Sequence, residues 1–490
     1  MANAFPQTRV PYMSLMFDNS MAGGSSGIWK TLIIGHALTG SPAGLNTPYL
    51  ISTADQAESL FGAGSILAEQ IKSYKNNDQN VETWAIALTE GNGSTAATSK
   101  ITPKIAAGSD GVLPMSVSGT IALYIAGIGI QVGITATTKP EEVGAAISSA
   151  INKNLYVPCT ATVDTSSGTV TLTAKHKGAV CNGIDVSFNL GSETFPAGLS
   201  FTAEDFAGGA GNPDINAVFN AIKDTRFQGF VNPFSDAINL KSLAGQLQSR
   251  WEPTLQNDGF AFCSISKTVQ DAVEFGNTLN SQNMCVVNTY GIPTPGYAVI
   301  SGIAAQCCAS AAIDPAMPLS TLPIASIMAP PQFAQFSFSE RTSLLNAGVS
   351  TFNVVGDTVC IERIVTTYKK NSSGVADESY LNAETVLTLS KIRDYFREKF
   401  WSKFNRFKLA EDGINISAGQ KIITPKKAKA ELIAIYRDLE DIGLVQDTAS
   451  FIQNVSVEID KKNKSKMNML LPPTVMAQLF NVDATIQFRR

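Results

Sequence analysis

Histidine is almost missing from this chain, with only His36 and His176 among 490 residues. A histidine-rich metal site cannot be assembled from two such residues. A catalytic triad would have to use His36, at the end of an expected strand, and no local motif supplies it with a serine and a carboxylate. The seven cysteines, Cys159, Cys181, Cys263, Cys285, Cys307, Cys308 and Cys360, are odd in number and form no CxxC pair, so they are expected to be reduced core thiols. Charged residues make up only 16% of the chain and sum to a formal −4, which argues against a general nucleic-acid binder. There is no Walker sequence, and Gly127-Ile-Gly129-Ile-Gln-Val-Gly133 misses the dinucleotide fingerprint in spacing and context. The stretch Gly23 to Gly27 spells a G-x-S-x-G elbow around Ser25. No strand precedes it and no helix follows, so a flexible joint is expected there. The opening MANAFPQTRVPYMS lacks a basic start followed by an apolar core, so export by a secretory signal is not expected. The uncharged run Gly111 to Thr138 alternates in two phases about Ala126-Gly127, predicting a hairpin and not a membrane helix.

What is present is a long alternation of strands and helices. Strands are expected at Thr31 to Gly35, Thr83 to Leu88, Phe227 to Asn232, Gly259 to Ser264 and Met284 to Asn288. Helices are expected at Thr53 to Lys75 with a break near Gly62 to Gly64, and at Asp214 to Asp224, Ala237 to Arg250, Val269 to Leu279 and Gly296 to Ala312. Such an order predicts an α/β core, a mostly parallel sheet with helices on both faces, formed by residues 28–90 together with 205–368. Residues 91–204, rich in Thr, Ser, Gly and Val, interrupt it as a β-rich insertion domain. That insertion carries the hairpin, a helix at Pro140 to Asn154 and the strand pair Ala161 to Val163 with Thr169 to Ala174. Insertions of this kind emerge from exposed loops, so this one is expected to face outward. Residues 275–339 contain one formal charge, Asp314, which implies a core and also surface covered by other subunits.

The remaining stretches are an N-terminal arm and hinge, 1–27, and an α+β C-terminal domain, 369–490, which holds about half of all Lys and Arg. Arg9 to Phe17 is extended in character, and Val10, Tyr12, Met13, Leu15 and Phe17 are candidates for contacts between subunits. Glu384 to Phe407 reads as a basic amphipathic helix with Leu389, Ile392, Phe396, Phe400, Phe404 and Phe407 on one stripe. Proline at the start and Gly443 just past the end punctuate a second helix, Pro425 to Asp441. Phe451, Gln453, Val455, Val457 and Ile459 alternate, as do Val482, Ala484, Ile486 and Phe488, so both runs read as strands. A strand at the end of a chain completes its own sheet or pairs with a neighbour's, and the second option turns one fold into a polymer.

Taken together, Lys408-Leu-Ala-Glu-Asp-Gly413, Ile423-Thr-Pro-Lys-Lys427, Asp441-Ile-Gly-Leu-Val445, Leu470-Leu-Pro-Pro473 and Ala484-Thr-Ile-Gln-Phe488 resemble the tail sheath proteins of contractile phages, in their Mu-like branch. Arg9-Val10-Pro11, Ala174-Lys-His-Lys-Gly178, Asn182-Gly-Ile-Asp185, Asn346-Ala-Gly-Val349 and Val355-Gly-Asp357 extend the resemblance over nearly the whole chain, while the lysine-rich turn Asp460 to Lys466 departs from it. The resemblance implies a subtilisin-like α/β core without a working triad, no enzymatic activity and no cofactor. It implies a virion-tail protein assembled in the host bacterial cytoplasm, a helical homopolymer of six-subunit rings tied by terminal arms. Its other partners would be the tail tube, baseplate and tail terminator proteins, with no nucleic acid and no membrane insertion. Candidate tube contacts are Arg397, Lys399, Lys403, Arg406, Lys461, Lys462 and Lys464. A contractile bacteriocin sheath and a degenerate hydrolase are the alternatives.

Overall fold

The computed structural model describes residues 29–107, 114–415, 417 and 419–489. At its centre six strands lie in the order Met284–Asn288, Phe260–Ile265, Gly229–Asn232, Lys30–Gly35, Glu82–Ala87, Pro48–Ile51. The first five are mutually parallel, and Pro48–Ile51 closes one edge antiparallel. Strands drawn from residues 28–90 and from 205–368 thus share one sheet. Their runs are apolar at successive positions because both faces are covered. Ile33, Ala85, Val231, Phe262 and Val287 face the helices Ala54–Phe61, Ile66–Asn77 and Gly296–Ile313. Leu32, Ile34, Phe230, Cys263 and Val286 face Asn216–Ile222, Ala237–Trp251 and Val269–Asn277. Side-chain oxygens of Thr53, Ser65, Asp236 and Thr268 accept backbone N–H bonds at the helix starts, which satisfies donors left without an intrahelical partner. Gly296–Ile313 is long and apolar enough to cross a membrane, yet most of it is buried against the sheet and its neighbouring helix.

The insertion leaves the sheet after Glu82–Ala87. It forms a four-stranded antiparallel sheet, Leu199–Ala203, Ala96–Ile105, Val170–Lys177 and Cys159–Val163, and a three-stranded one, Ile128–Thr137, Val117–Ile125 and Val186–Phe188. The helix Pro140–Lys153 supplies Val143, Ile147 and Ile151 to their shared core. The hairpin turns at Ala126 and Gly127, with φ of 56° and 74°, the paired positive angles that match the twist of a two-residue turn.

Beyond the hairpin Thr351–Val355 and Thr358–Arg363, the helix Ala383–Phe404 packs on Pro425–Asp441. It ends earlier than the sequence suggests, because Arg406 adopts φ 63° and the chain turns into a strand at Lys408. The strand expected from Phe451 to Ile459 is corrected: Thr448–Asn454 is helical, started by the Asp447 side chain accepting from Ser450 N–H, and only Ser456–Ile459 is a strand. Phe451 and Val455 are buried because they are four apart on or beside a helical turn, a spacing that also satisfies a period of two. The strand expected from Val482 to Phe488 is also corrected, since residues 477–489 form no strand and pair with none among the described residues.

Candidate functional site

His36 does follow the strand Lys30–Gly35 at the carboxyl edge of the sheet, but it is buried and no serine and carboxylate bond its ring among the described residues. Its Nδ1 lies 3.1 Å from the Leu88 carbonyl and its ring stacks on His176 at 5.7 Å. His176 Nε2 accepts from Ile66 N–H at 3.3 Å, which requires the unprotonated nitrogen. Burial, then the neighbouring His36 and Lys175, holds the His176 pKa down at about 3, and burial lowers that of His36. These rings weld the insertion to the core as neutral groups. Among the described residues no cluster of three His, Cys, Asp or Glu is placed to hold a metal. All seven cysteines are free and buried, and burial pushes Cys159, Cys181 and Cys263 up to about 12, which disfavours the thiolate form of those three.

The most organised polar constellation sits at the opposite, amino edge of the sheet, where the core meets the Ala383–Phe404 helix. Residues immediately before three strands, Trp29, Gln228 and Gly259, border a cavity of about 690 Å³ there. Asp258, almost fully buried, accepts from Arg393 Nη1 at 2.7 Å and from the Ser390 hydroxyl at 2.9 Å. Arg226 Nη1 reaches Asp394 at 2.7 Å, and its Nη2 donates to Ser390 at 3.1 Å. The Arg393 guanidinium also lies 4.5 Å over the Trp251 ring and donates to the Trp251 carbonyl at 2.8 Å. Desolvation raises the Asp258 pKa, with Arg393 acting against it, so the charge is kept by its partners and not by water. Four charges and a hydroxyl drawn from both units fix the C-terminal helix on the core. None of this was read from the sequence, because the partners are 132 to 168 residues apart.

The basic candidates separate into paired and unpaired groups. Arg397 is bonded to Asp394 at 2.8 Å and to Gln256 at 3.0 Å, and Lys403 is paired with Glu431. Lys399 lies over the Tyr395 ring at 5.3 Å, and Lys464 faces Glu411 at 3.6 Å. Arg406, Lys461 and Lys462 are exposed and have no ion pair among the described residues, the last two in the turn between Ser456–Ile459 and Met467–Leu470. Val10, Tyr12, Met13, Leu15 and Phe17, with Ser25, lie outside the described residues.

At the C-terminus, Gln478 Nε2 donates to the Ala316 carbonyl at 3.2 Å and the Arg363 guanidinium covers the Phe480 ring at 4.4 Å. Past this point Val482, Ala484, Ile486 and Phe488 make no hydrogen bond among the described residues, and Ile486 is 89% and Phe488 84% exposed. Among the described residues the antiparallel pair Ser456–Ile459 and Met467–Leu470 has only two strands, so each outer edge lacks a strand neighbour there.

The chain is similar to known proteins. Residues 208–367 match the family model of the phage tail sheath protein central domain, and residues 375–489 that of the phage tail sheath C-terminal domain. The chain is 34% identical over 484 residues to the Mu-like prophage FluMu tail sheath protein of Haemophilus influenzae, covering 98% of this chain and 97% of that protein. Among solved structures it is similar to a sheath tail protein of Desulfitobacterium hafniense at TM-score 0.48 and 11% identity, covering 95% of this chain and 100% of that one. A Listeria innocua sheath tail protein follows at TM-score 0.47 and 13% identity, covering 91% and 92%.

Proposed function

The chain belongs to the phage tail sheath family and is a structural subunit of a Mu-like phage tail sheath, and we propose that it polymerises helically around a tail tube and contracts to drive that tube through the host envelope. Two observations support this reading: the apolar, exposed segment Val482 to Phe488 makes no hydrogen bond among the described residues, and elsewhere in the chain a two-stranded sheet has edges unpaired among those residues. Added to such a sheet on a neighbour, the segment gains main-chain hydrogen bonds worth about 1 kcal/mol each. Several bonds per arm, repeated through a polymer, keep subunits connected while their bodies change position. The Asp258 junction supports the same picture, since it makes core and C-terminal helix move as one body.

In this reading the extended sheath is a metastable lattice of six-subunit rings. A baseplate trigger lets it relax to a shorter, wider lattice with more buried contact, without nucleotide hydrolysis. Tail terminator protein would cap the far end, and buried thiols suit assembly in the reducing host cytoplasm. Lys461, Lys462 and Arg406 are the better tube contacts, because Arg397 and Lys403 already have acidic partners. A subtilisin-like ancestry for the central sheet is supported by its parallel order. Negative-stain electron microscopy of the purified chain beside a version ending at Asn481 tests the proposal. Hollow tubes from the first and compact particles from the second are expected; compact monomers from both, even with tube protein present, would refute it.

A further inference from the structure

Three of the chain's four tryptophans, Trp29, Trp251 and Trp401, border the cavity at the amino edge of the central sheet. Trp401 is 62% exposed, unusual for so large an apolar surface, and tryptophan clusters of this kind mark contact hot spots. The charges lining the cavity have partners within the chain: Asp258 pairs with Arg393, Asp394 pairs with Arg226 and Arg397, Lys391 faces Asp394 and Glu398, Lys399 lies over the Tyr395 ring, and Asp314 accepts from Ala316 N–H at 2.9 Å. An uncharged, aromatic occupant therefore fits it without stranding a charge, whereas a charged one would compete with pairs already made.

A segment of that chemistry lies at the other end of the same sheet. Between Asp314 and Glu340 the chain has no formal charge. Within this stretch Phe333 is 92% and Phe338 77% exposed. Neither sits on a loose tether. Ala334 N–H donates to the Pro331 carbonyl at 2.8 Å, Gln335 Nε2 to the Pro330 carbonyl at 3.2 Å, and Met328 N–H to the Thr294 hydroxyl at 3.0 Å. Phe336 is anchored in the core, and Ser337 and Glu340 form a reciprocal cap at the start of the helix Phe338–Asn346. Ala334 packs so closely on Gly291 that a side chain there would meet it at 3.1 Å. Gly291 and Thr294 follow the edge strand Met284–Asn288, so this loop is at the carboxyl edge, roughly 20 Å along the strands from the tryptophans.

We propose that the tryptophan-lined cavity of one subunit seats the Met328–Phe338 loop of a second copy of this chain, with Phe333 entering between Trp251 and Trp401. A knob and its hole at opposite ends of a parallel sheet make a head-to-tail contact, which propagates into an open helix instead of closing as a dimer. The loop's rigidity limits the entropy lost on docking. The proposal rests on the polymer reading above and adds a second, side-chain contact to the arm linkage.

The test is disulfide trapping in the full chain carrying Phe333→Cys and Trp401→Cys, under conditions that form tubes, followed by a non-reducing gel. All seven native thiols are buried, so background trapping is low. A ladder of dimers, trimers and higher species is expected from the double variant, and dimers alone from a mixture of the two single variants. Independently, Phe333→Asp changes an exposed site and should leave thermal unfolding unchanged while raising the protein concentration needed for polymerisation about 10-fold or more. Tubes that form without any trapped ladder, and that tolerate Phe333→Asp, would overturn this contact and leave the sheath reading intact. Absence of any polymer from the unmodified chain, with or without tube protein, would overturn both.

Discussion

Asp258→Asn should loosen the C-terminal helix from the core without unfolding either. The replacement keeps the volume of a side chain that is almost fully buried and retains one oxygen for the Ser390 hydroxyl. It removes the negative charge facing Arg393 at 2.7 Å and turns an amide N–H₂ toward that guanidinium or Arg226. Breaking a buried pair by removing one partner costs about 3–5 kcal/mol. The lower end applies here, about 3 kcal/mol, because Arg393 is partly exposed, keeps its Trp251 contacts, and Arg226 retains Asp394. Global melting of so large a chain is not a two-state measurement, so the readout is amide hydrogen exchange within Ala383–Phe404 in the unassembled protein. Protection there should fall roughly 100-fold, with little change in the central strands. Protection unchanged within about threefold would refute the view that this network fixes the two units.

Three further outcomes are expected. His176 is held at about 3 when folded against 6.5 ordinarily, so its contribution is complete above pH 6.5 and is lost as pH falls toward 3, the unfolded chain taking up protons first. Exchange protection of the insertion should decline over that window, and His176→Gln, which offers a carbonyl to Ile66 N–H, should flatten the decline; an unchanged slope would sink the assignment. Phe451→Ala, which removes a buried ring stacked 3.8 Å from Tyr436, should cost about 3–5 kcal/mol in the C-terminal unit, read as lost amide-exchange protection within Pro425–Asp441; unchanged protection there would refute it. Reversing Lys461 and Lys462 to Glu should weaken co-sedimentation with tube protein and remove most of its salt sensitivity, whereas Lys403→Glu should act mainly through its lost Glu431 partner.

The central strands were legible because each is buried on both faces and so writes an apolar run between polar turns, as in Phe260–Ile265 and Met284–Asn288. The insertion's hairpin was legible because Ala126-Gly127 shifts the phase of alternation. Pro48–Ile51 went unseen since proline there suits only an edge, and the Thr351–Arg363 hairpin since adjacent apolar residues and an irregular register at Thr351 and Phe352 break the period of two. At Phe451 to Ile459, positions four apart fit helix and strand alike, and the Asp447 cap decided for helix. The Arg226, Asp258, Arg393 and Asp394 network leaves no local trace, because folding and not spacing brings those side chains together. The terminal alternation at Val482 to Phe488 was readable, but it has no pairing partner among the described residues.

The central claim, that this terminal segment links subunits, is tested most directly by an electron cryomicroscopy reconstruction of the assembled polymer with side-chain detail at residues 476–489. The expected result is Val482 to Phe488 running as a strand bonded to the sheet of Ser456–Ile459 and Met467–Leu470 in a neighbouring subunit. A segment folded back on its own subunit, or left unbonded in the lattice, would contradict it.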